Sequence, residues 1–211
     1  MRAAIVSNGE LGELEKLKTL LPKFDLVVCC DGGIRHLENL ELFPDLIVGD
    51  FDSADPVALD AYQKMGVPIR TFPIEKNQTD TELAAQAAIE AGAKQVVLIG
   101  ALGSRWDHSY ANIMVLVSLV KLGIKAMILH SHHRIVVSNK TLCLEGVPGQ
   151  FVSLLPLGEN VAVRLTKGLK YPISGQKMPL DAPYGISNIF LQSKAEVQID
   201  SGWLMAIIAE D

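Results

Sequence analysis

The stretch Leu46-Ile47-Val48-Gly49-Asp50-Phe51-Asp52-Ser53 contains the pattern that decides the fold class. Its first four residues form an apolar run of strand length, and acidic residues begin directly where that run ends. In an extended chain Asp50 and Asp52 point to the same side, while Phe51 points the other way, into the core. Polar residues placed directly after a strand are typical of open parallel sheets, which bind ligands outside the carboxyl ends of their strands.

The alternation of strand and helix patterns continues on both sides of this stretch. Apolar, strand-like runs occur at 3–7, 26–30, 46–49, 68–72, 95–100 and 125–130. Helical patterns lie between them, near 11–21, 33–40, 56–65, 80–92 and 107–122. Strands that alternate with helices predict βαβ units, and therefore an α/β (Rossmann-like) domain with a parallel sheet over residues 1–134.

The chain changes character after residue 134. Long helical patterns stop, and turn residues separate short, β-prone runs at 135–139, 141–145, 151–155, 161–165, 186–193 and 203–209. This spacing predicts a small all-β sandwich domain over residues 135–211. We expect Trp203 to belong to the core of the last strand.

Composition and charge argue against several classes of protein. The chain has 211 residues, is 49% hydrophobic and carries a formal net charge of -5, so we expect no general attraction to nucleic acid or to an anionic membrane. The first apolar run is too short for a signal peptide, and lysines interrupt the stretch 113–129 that could otherwise span a membrane. Cys29, Cys30 and Cys143 do not make a disulfide framework, which favours a reduced, cytoplasmic setting.

Asp31-Gly32-Gly33 follows the second predicted strand directly. The two glycines would let the backbone approach a ligand, and a helix N-terminus, which favours anions, follows them. The alternative is an ordinary strand-to-helix turn with an aspartate cap. The tripeptide alone does not decide between these interpretations.

Asp50 and Asp52 follow the third predicted strand. Two carboxylates held together without a partner would repel each other and raise each other's pKa. A divalent cation removes that cost, and one or two carboxylates with water and phosphate oxygens are the ligands that Mg²⁺ prefers. The pair therefore indicates a magnesium site, with a solvated acidic loop as the alternative.

Two further segments lie at predicted helix starts. Lys76-Asn77-Gln78-Thr79-Asp80-Thr81-Glu82 offers a cation, amides, hydroxyls and a carboxylate beside free backbone N–H groups. Its Ser/Thr-x-x-Glu spacing also fits a capping box, which is compatible with ligand binding.

The other segment is Gly100-Ala101-Leu102-Gly103-Ser104-Arg105-Trp106-Asp107-His108. It supplies glycines for close approach and a planar guanidinium for phosphate. The alternative there is an arginine–aspartate pair on the surface.

The four segments together predict phosphoryl-transfer chemistry. All of them should converge on one edge of the sheet, because each follows a strand or precedes a helix. Aspartates with lysine and arginine around Mg²⁺ can position phosphates, neutralise their charge and orient a nucleophile. The sequence has no Walker A loop, no kinase glycine loop and no G-x-G-x-x-G motif, so the standard P-loop and protein-kinase solutions are excluded.

The motifs, taken in order, also resemble those of a known family. Four segments look like the pattern of thiamine pyrophosphokinases: Asp31-Gly32-Gly33, Gly49-Asp50-Phe51-Asp52-Ser53, Gln78-Thr79-Asp80 and Gly103-Ser104-Arg105-Trp106-Asp107-His108. The resemblance continues through Gly168-Leu169-Lys170-Tyr171-Pro172, Gly185-Ile186-Ser187-Asn188 and Gly202-Trp203-Leu204-Met205. It therefore covers essentially the whole chain.

The resemblance implies a fold, a reaction and an assembly. The family joins an α/β domain to a β-sandwich and works as a homodimer, with the active site between the α/β domain of one subunit and the β domain of the other. ATP and thiamine are converted to AMP and thiamine diphosphate, since the thiamine hydroxyl attacks the β-phosphorus and AMP leaves. The implied function is that of a thiamine diphosphokinase with Mg²⁺ as cofactor and ATP as co-substrate.

Roles for individual residues also follow from the resemblance. The residues that would hold Mg²⁺ or organise the hydroxyl are Asp31, Asp50, Asp52 and Asp80. The implied catalytic residues are Asp50, Asp52, Asp80, Arg105 and Asp107, with Asp107 supporting Arg105 or the metal shell. Those implied for ATP binding are Gly32, Gly33, Lys76, Gln78, Thr79, Gly103, Arg105 and His108. Supplied by the partner subunit, Tyr171 would stack on thiamine, while Ser187 and Asn188 would hydrogen-bond its pyrimidine.

Several alternatives stay open at the level of sequence. Tyr171 is either the residue that meets the cationic thiazolium ring or ordinary core. His130, His132 and His133 form either a metal site or, as we favour, a solvated or adenine-edge loop. The function is transfer to thiamine, transfer to another heterocyclic alcohol such as a hydroxymethylpterin, or ATP sensing without turnover. Four aspartates beside an anionic ligand argue against mere sensing.

Overall fold

The computed structural model describes residues 1–51, 56–182 and 184–209, and the chain divides into two compact units, Met1–Ser131 and His132–Asp211. Strands alternate with helices along the first unit. Its strands are β1 (Arg2–Val6), β2 (Leu26–Cys30), β3 (Leu46–Gly49), β4 (Ile69–Thr71), β5 (Gln95–Ile99) and β6 (Lys125–Leu129). Its helices are α1 (Leu14–Leu20), α2 (Ile34–Leu40), α3 (Pro56–Lys64), α4 (Asp80–Glu90) and α5 (Trp106–Lys121), with short 3₁₀ turns at Leu21–Lys23 and Asp31–Gly33.

The strands of the first unit form a parallel sheet in the order β6-β5-β1-β2-β3-β4. Every pairing recorded between these strands is parallel, as the alternating pattern predicts. The strand order reverses between β1 and β5, because β2 to β4 lie on one side of β1 while β5 and β6 lie on the other. The loops that follow β1 and β5 therefore leave the sheet at its topological switch point, where open α/β sheets form their ligand crevice.

Helices bury the sheet of the first unit. After its first residue, each of β2 and β5 is buried along its whole length, which accounts for their continuous apolar sequences. The buried face of α4 is largely alanine, so this helix can pack directly on β2 and β3. Cys29 and Cys30 are buried free thiols in β2, as the apolar run predicts. No helix within residues 1–51, 56–182 and 184–209 is long and apolar enough to cross a membrane.

The second unit is a sandwich of two antiparallel sheets, as predicted. Its strands are β7 (His133–Ser138), β8 (Thr141–Glu145), β9 (Phe151–Pro156), β10 (Val161–Lys167), β11 (Gln176–Met178), β12 (Asn188–Ile189), β13 (Lys194–Ser201) and β14 (Leu204–Ala209). Within this unit the strands are ordered β12-β9-β14-β7 in one sheet and β11-β10-β13-β8 in the other. Both sheets contribute side chains to one apolar core, which Leu142, Leu154, Val163, Val197 and Leu204 exemplify.

Two expectations for the second unit were wrong. The apolar run 186–193 is not one strand: Asn188–Ile189 pairs as β12, Phe190 forms an isolated bridge to Leu169, and the side chains of Ile186 and Leu191 are exposed. The long strand lies just beyond it, at Lys194–Ser201, where alternating residues are buried despite the charges between them. Trp203 precedes β14 and is half-buried, so it is not part of the core.

Candidate functional site

A cavity of about 660 Å³ lies in the first unit at the carboxyl-terminal edge of the sheet. The structure brings together seven of the predicted site residues around it: Asp31, Asp50, Thr79, Asp80, Gly103, Arg105 and His108. They come from the ends of β2 and β3, from the N-cap and first residue of α4, and from the segment between β5 and α5 together with the first turn of α5. The cavity thus gathers side chains from four separate parts of the sequence.

The loops after β1 and β5 form one wall of the cavity, and they pair with each other beyond the strands. Gly9 N donates to Gly100 O at 2.7 Å, and Glu10 N donates to Leu102 O at 2.7 Å. A Cβ at Gly9 would lie only 2.3 Å from Leu102 O, so any larger residue would push these loops apart. Backbone hydrogen bonds and one glycine therefore hold the switch-point crevice in a defined shape.

Side chains from two helices, α5 and α2, hold these loops in place. Asn112 Nδ2 on α5 donates to Ala101 O at 2.7 Å, and Gly103 N donates to Ser109 Oγ at 3.1 Å. On α2, Arg35 Nη2 donates to Asn8 O at 2.8 Å, and the ring of His36 bonds Gly9 O at 2.7 Å. Burial lowers the pKa of His36, so at neutral pH this ring is the uncharged donor to the carbonyl.

Gly32 and Gly33 are buried beside this wall and are not among the residues that line the cavity. A Cβ at Gly33 would lie 2.3 Å from Val6 O, and one at Gly32 would lie 2.4 Å from Asn8 Nδ2. The glycines therefore let the start of α2 pack closely against the end of β1. Asp31, which precedes them, adopts a positive φ of 46° and lines the cavity.

Asp50, Lys76 and Asp80 form a compact group that we call the carboxylate–ammonium cluster. Lys76 Nζ donates to Asp50 Oδ2 in a very short contact and lies 3.0 Å from Asp80 Oδ1. The three side chains are only 10%, 13% and 25% exposed for Asp50, Lys76 and Asp80. Burial lowers the pKa of Lys76, but its hydrogen bonds to the two carboxylates outweigh burial and the pKa is raised. Burial raises the pKa of Asp80, although Lys76 opposes this rise.

The chemistry of this cluster fits Mg²⁺. Two carboxylates already share one cation, and Asp31 lines the same cavity. Mg²⁺ commonly uses one or two protein carboxylates and completes its shell with water and phosphate oxygens. Within the described ranges no group of three or more acidic, histidine or cysteine side chains is placed to hold a metal by itself, and this includes His130, His132 and His133. Asp52, which was predicted as a further ligand, lies outside the described residues.

The start of α4 carries the predicted capping box. Glu82 N donates to Thr79 Oγ1 at 3.2 Å, and Thr79 N donates to Glu82 Oε2 at 2.8 Å. Asp80 is the first residue of α4, so this cap fixes the direction in which its side chain projects from the helix. The capping interpretation is therefore correct for Thr79, which also lines the cavity, and its role in ATP binding stays a prediction. Gln78 is exposed and is not among the lining residues.

Arg105 and Asp107 make an exposed ion pair at the start of α5. Arg105 Nη2 lies 2.6 Å from Asp107 Oδ2, and the side chains are 70% and 64% exposed. The hydrogen bond from Arg105 lowers the pKa of Asp107. His108 Nε2 lies 3.7 Å from the same carboxylate oxygen. Arg105 and Asp107 therefore form the arginine–aspartate surface pair that was the alternative interpretation of this segment. Arg105 and His108 also line the cavity.

Sequence reasoning missed the part of the site that follows β1. Ser7, Asn8, Gly9 and Glu10 line the cavity, although no motif marks them. The rule that was applied to the ends of the other strands could have found them, because Ser7 directly follows an apolar run. Also missed was a buried pair of hydroxyl groups in the cavity lining, where Ser7 Oγ lies 3.4 Å from Thr81 Oγ1.

In the second unit, Tyr171 and Asn188 are joined by a pair of hydrogen bonds. Tyr171 N donates to Asn188 Oδ1 at 3.0 Å, and Asn188 Nδ2 donates to Tyr171 O at 2.7 Å. Asn188 is 2% exposed, and through these two hydrogen bonds its amide holds the backbone of Tyr171 in place. The Tyr171 side chain is 53% exposed, which contradicts the alternative that it is core. Ser187 is exposed, has a positive φ of 57° and donates its N–H to Ser153 Oγ at 3.2 Å.

The fold and the site define an α/β enzyme that gathers carboxylates and cations at the switch point of a parallel sheet, as phosphate-transferring enzymes require. Residues 17–128 match the family described as thiamin pyrophosphokinase, catalytic domain, and residues 132–204 match its vitamin B1 binding domain. The chain belongs to the thiamine pyrophosphokinase family.

Similar proteins cover nearly the whole chain. The thiamine pyrophosphokinase of Bacillus subtilis (strain 168) is 25% identical over 209 residues, 98% of this chain and 98% of the relative. Thiamine pyrophosphokinase 1 of Arabidopsis thaliana is 26% identical over 237 residues, 95% of this chain and 87% of the relative. The crystal structure of thiamine pyrophosphokinase from Bacillus subtilis covers 100% of both chains with a TM-score of 0.87 at 26% identity. The predicted family, fold class and function as a thiamine diphosphokinase, a transferase, are confirmed.

Proposed function

We propose that the protein transfers the diphosphate group of ATP to the hydroxyl of thiamine, and that the cavity of the first unit holds the ATP phosphates. The observation that carries this proposal is that Asp50 and Asp80, the two carboxylates of the carboxylate–ammonium cluster, line one cavity at the switch point together with Arg105. Anionic phosphates need cations to bind them, while carboxylates beside them need a metal to prevent repulsion.

The carboxylates form the acidic side of the proposed site. Asp50 and Asp80 would hold Mg²⁺, with Asp31 and Asp52 as further ligands. When bound, Mg²⁺ supplies charge neutralisation to the phosphate oxygens. The capping box keeps Asp80 in place at the start of α4, and the pairing of β3 with β2 keeps Asp50 near it.

The segment between β5 and α5 forms the basic side. Arg105 would bind phosphate oxygens with its planar guanidinium, and Asp107 orients that guanidinium from outside the cavity. Asn112 and Ser109 hold the loop that carries Arg105 through hydrogen bonds to Ala101 and Gly103. Gly103, Thr79 and His108 line the same space and would border the nucleotide.

The reaction exchanges one phosphorus–oxygen bond for another. The hydroxyl oxygen of thiamine attacks the β-phosphorus, and the bond from that phosphorus to the bridging oxygen of AMP breaks. The hydroxyl proton passes to a carboxylate oxygen that lines the cavity, and AMP leaves with the electron pair of the broken bond. The protein's own groups therefore bind, align and accept a proton, in keeping with the general mechanism of phosphoryl transfer.

The acceptor site is proposed to use the second unit. The exposed Tyr171 ring could stack on thiamine and contact its cationic thiazolium ring, while Asn188 holds the Tyr171 backbone in position. Ser187, the residue before Asn188, is exposed and would hydrogen-bond the pyrimidine. We propose a homodimer in which the partner subunit supplies these residues. The cytoplasmic location stays a prediction.

The deciding experiment is chromatographic. The protein is incubated with ATP, Mg²⁺ and thiamine, and the products are separated, with reactions lacking thiamine or Mg²⁺ as controls. Equal amounts of AMP and thiamine diphosphate are expected. ADP with thiamine monophosphate would overturn the group transferred. If no product forms with thiamine but AMP appears with a hydroxymethylpterin, the acceptor assignment is overturned.

A further inference from the structure

We propose that Lys76 is an internal counter-cation that stands in for a divalent cation between Asp50 and Asp80, and that it makes binding of the metal depend on bound polyphosphate. This inference rests on the proposed function, because it takes Mg²⁺ and the ATP phosphates as the ligands of the cavity. It gives Lys76 a role beyond that of a phosphate ligand.

The geometry of the carboxylate–ammonium cluster is the starting point. One ammonium group contacts a carboxylate at the end of β3 and another at the start of α4. All three side chains are mostly buried, so bulk water screens their charges poorly. The ammonium thereby balances one of two negative charges that would otherwise repel each other.

An ammonium and a divalent cation cannot both occupy this position. Two cations a few ångströms apart in a poorly screened site repel strongly, so a metal that binds both carboxylates must displace Lys76. Lys76 belongs to the loop between β4 and α4, and a lysine ammonium sits on a flexible stem of four carbons. The displaced ammonium can therefore move while the carboxylates stay where the sheet and helix hold them.

Displacement leaves the ammonium in need of a new anion. In the absence of nucleotide, a metal ion must break two charge contacts of Lys76 and leave its charge unpaired. Bound polyphosphate offers that charge new oxygen partners, so the cost of displacement falls. Metal and nucleotide therefore strengthen each other's binding through Lys76, and by linkage the effect is equal in both directions.

A plain phosphate-binding lysine would behave differently. Removing such a lysine would weaken nucleotide binding and leave metal binding to the nucleotide-free protein unchanged. Under our proposal, removing the charge of Lys76 exposes two carboxylates to the metal and tightens metal binding when no nucleotide is present. The two roles thus predict different results in an experiment that needs no turnover.

The test is a titration of Mn²⁺ into the full chain without nucleotide, with free Mn²⁺ followed by electron paramagnetic resonance. K76M should bind Mn²⁺ about tenfold more tightly than the wild-type protein, within the usual range of coupling between sites. K76R keeps the positive charge and should stay close to wild type. Far-UV circular dichroism checks that each variant is folded, and K76Q gives the same prediction if K76M is not.

Unchanged or weaker Mn²⁺ binding by folded K76M or K76Q would overturn the proposal. A second measurement uses the wild-type protein alone: the Lys76 ε-methylene resonance, assigned by comparison with K76R, should shift when Mg²⁺ and a non-hydrolysable ATP analogue are added together. An unshifted resonance with both ligands bound would also overturn it. Failure of the proposed function shows separately, as absence of thiamine diphosphate from the chromatographic assay.

Discussion

Two sets of ion-paired side chains each contribute residues to the lining of the same cavity, and they differ in burial. The carboxylate–ammonium cluster of Asp50, Lys76 and Asp80 is mostly buried, whereas Arg105 and Asp107 are mostly exposed. Removing one member of a buried set leaves an uncompensated charge in a poorly screened place, while solvent and salt replace a lost partner at the surface. We therefore expect loss of one member of the first set to affect the other two strongly, and loss of one member of the second set to affect its partner only weakly.

The largest effect is expected at the buried set. Asp80→Asn removes a charge that both Lys76 and a metal would share, so we expect kcat/KM for thiamine diphosphate formation to fall by about 10³-fold. Steady-state assays of AMP release would measure this. Asp60→Asn is the matched control, because Asp60 pairs with Lys64 on the surface of α3 and does not line the cavity. Full activity of the folded Asp80→Asn protein would remove Asp80 from the site.

The exposed pair should respond unequally to loss of its two members. Arg105→Ala removes a phosphate ligand and should lower kcat/KM by about 10²-fold. Asp107→Asn removes only a solvent-exposed orienting partner, so its effect should be much smaller than that of Arg105→Ala. Arg164→Ala is the control, since Arg164 and Asp200 form another exposed pair in the second unit. Equal losses in the Arg105 and Asp107 variants would mean that both act directly on the ligand.

Tyr171 extends the comparison to an exposed residue that carries no charge. Tyr171→Ala should raise the KM for thiamine by about tenfold, the range of a cation–π contact, with little change in the KM for ATP. Tyr171→Phe should stay near wild type because it keeps the aromatic face. Kinetics with each substrate varied in turn would separate the two constants. Equal rises in both would exclude Tyr171 from the acceptor site.

The smallest effect at neutral pH concerns buried thiol groups, such as that of Cys30, rather than ion pairs. Burial raises the pKa of the Cys30 thiol from 9.0 to about 12. The folded state therefore keeps this proton after the unfolded state has lost it, so stability is full below about pH 9 and falls above it. Each such group should contribute up to about 1.4 kcal/mol per pH unit in that window. Urea unfolding at pH 7.5 and at higher pH, with Cys30→Ala for comparison, would measure it; an identical slope in the variant would contradict this origin.

The limits of sequence reasoning are clearest where a residue serves two purposes. Thr79 was correctly interpreted as a cap from its spacing to Glu82, because a capping box is a local pattern. The role of Asn188 was not visible in the sequence, since its hydrogen bonds join it to a residue 17 positions away. Similarly, Lys194–Ser201 was missed as a strand because its charges hide an alternation that only the sandwich core makes evident.

Local patterns in the sequence were enough to predict the alternation of strands and helices, the apolar runs of the parallel sheet and the family motifs, because each depends on residues close together in the chain. The reversal of strand order between β1 and β5, which adds the loop after β1 to the cavity, became visible only in the folded chain. Only the tertiary structure brought Lys76 between Asp50 and Asp80. Strand order and burial are properties of contacts between distant segments, and local patterns carry no record of them.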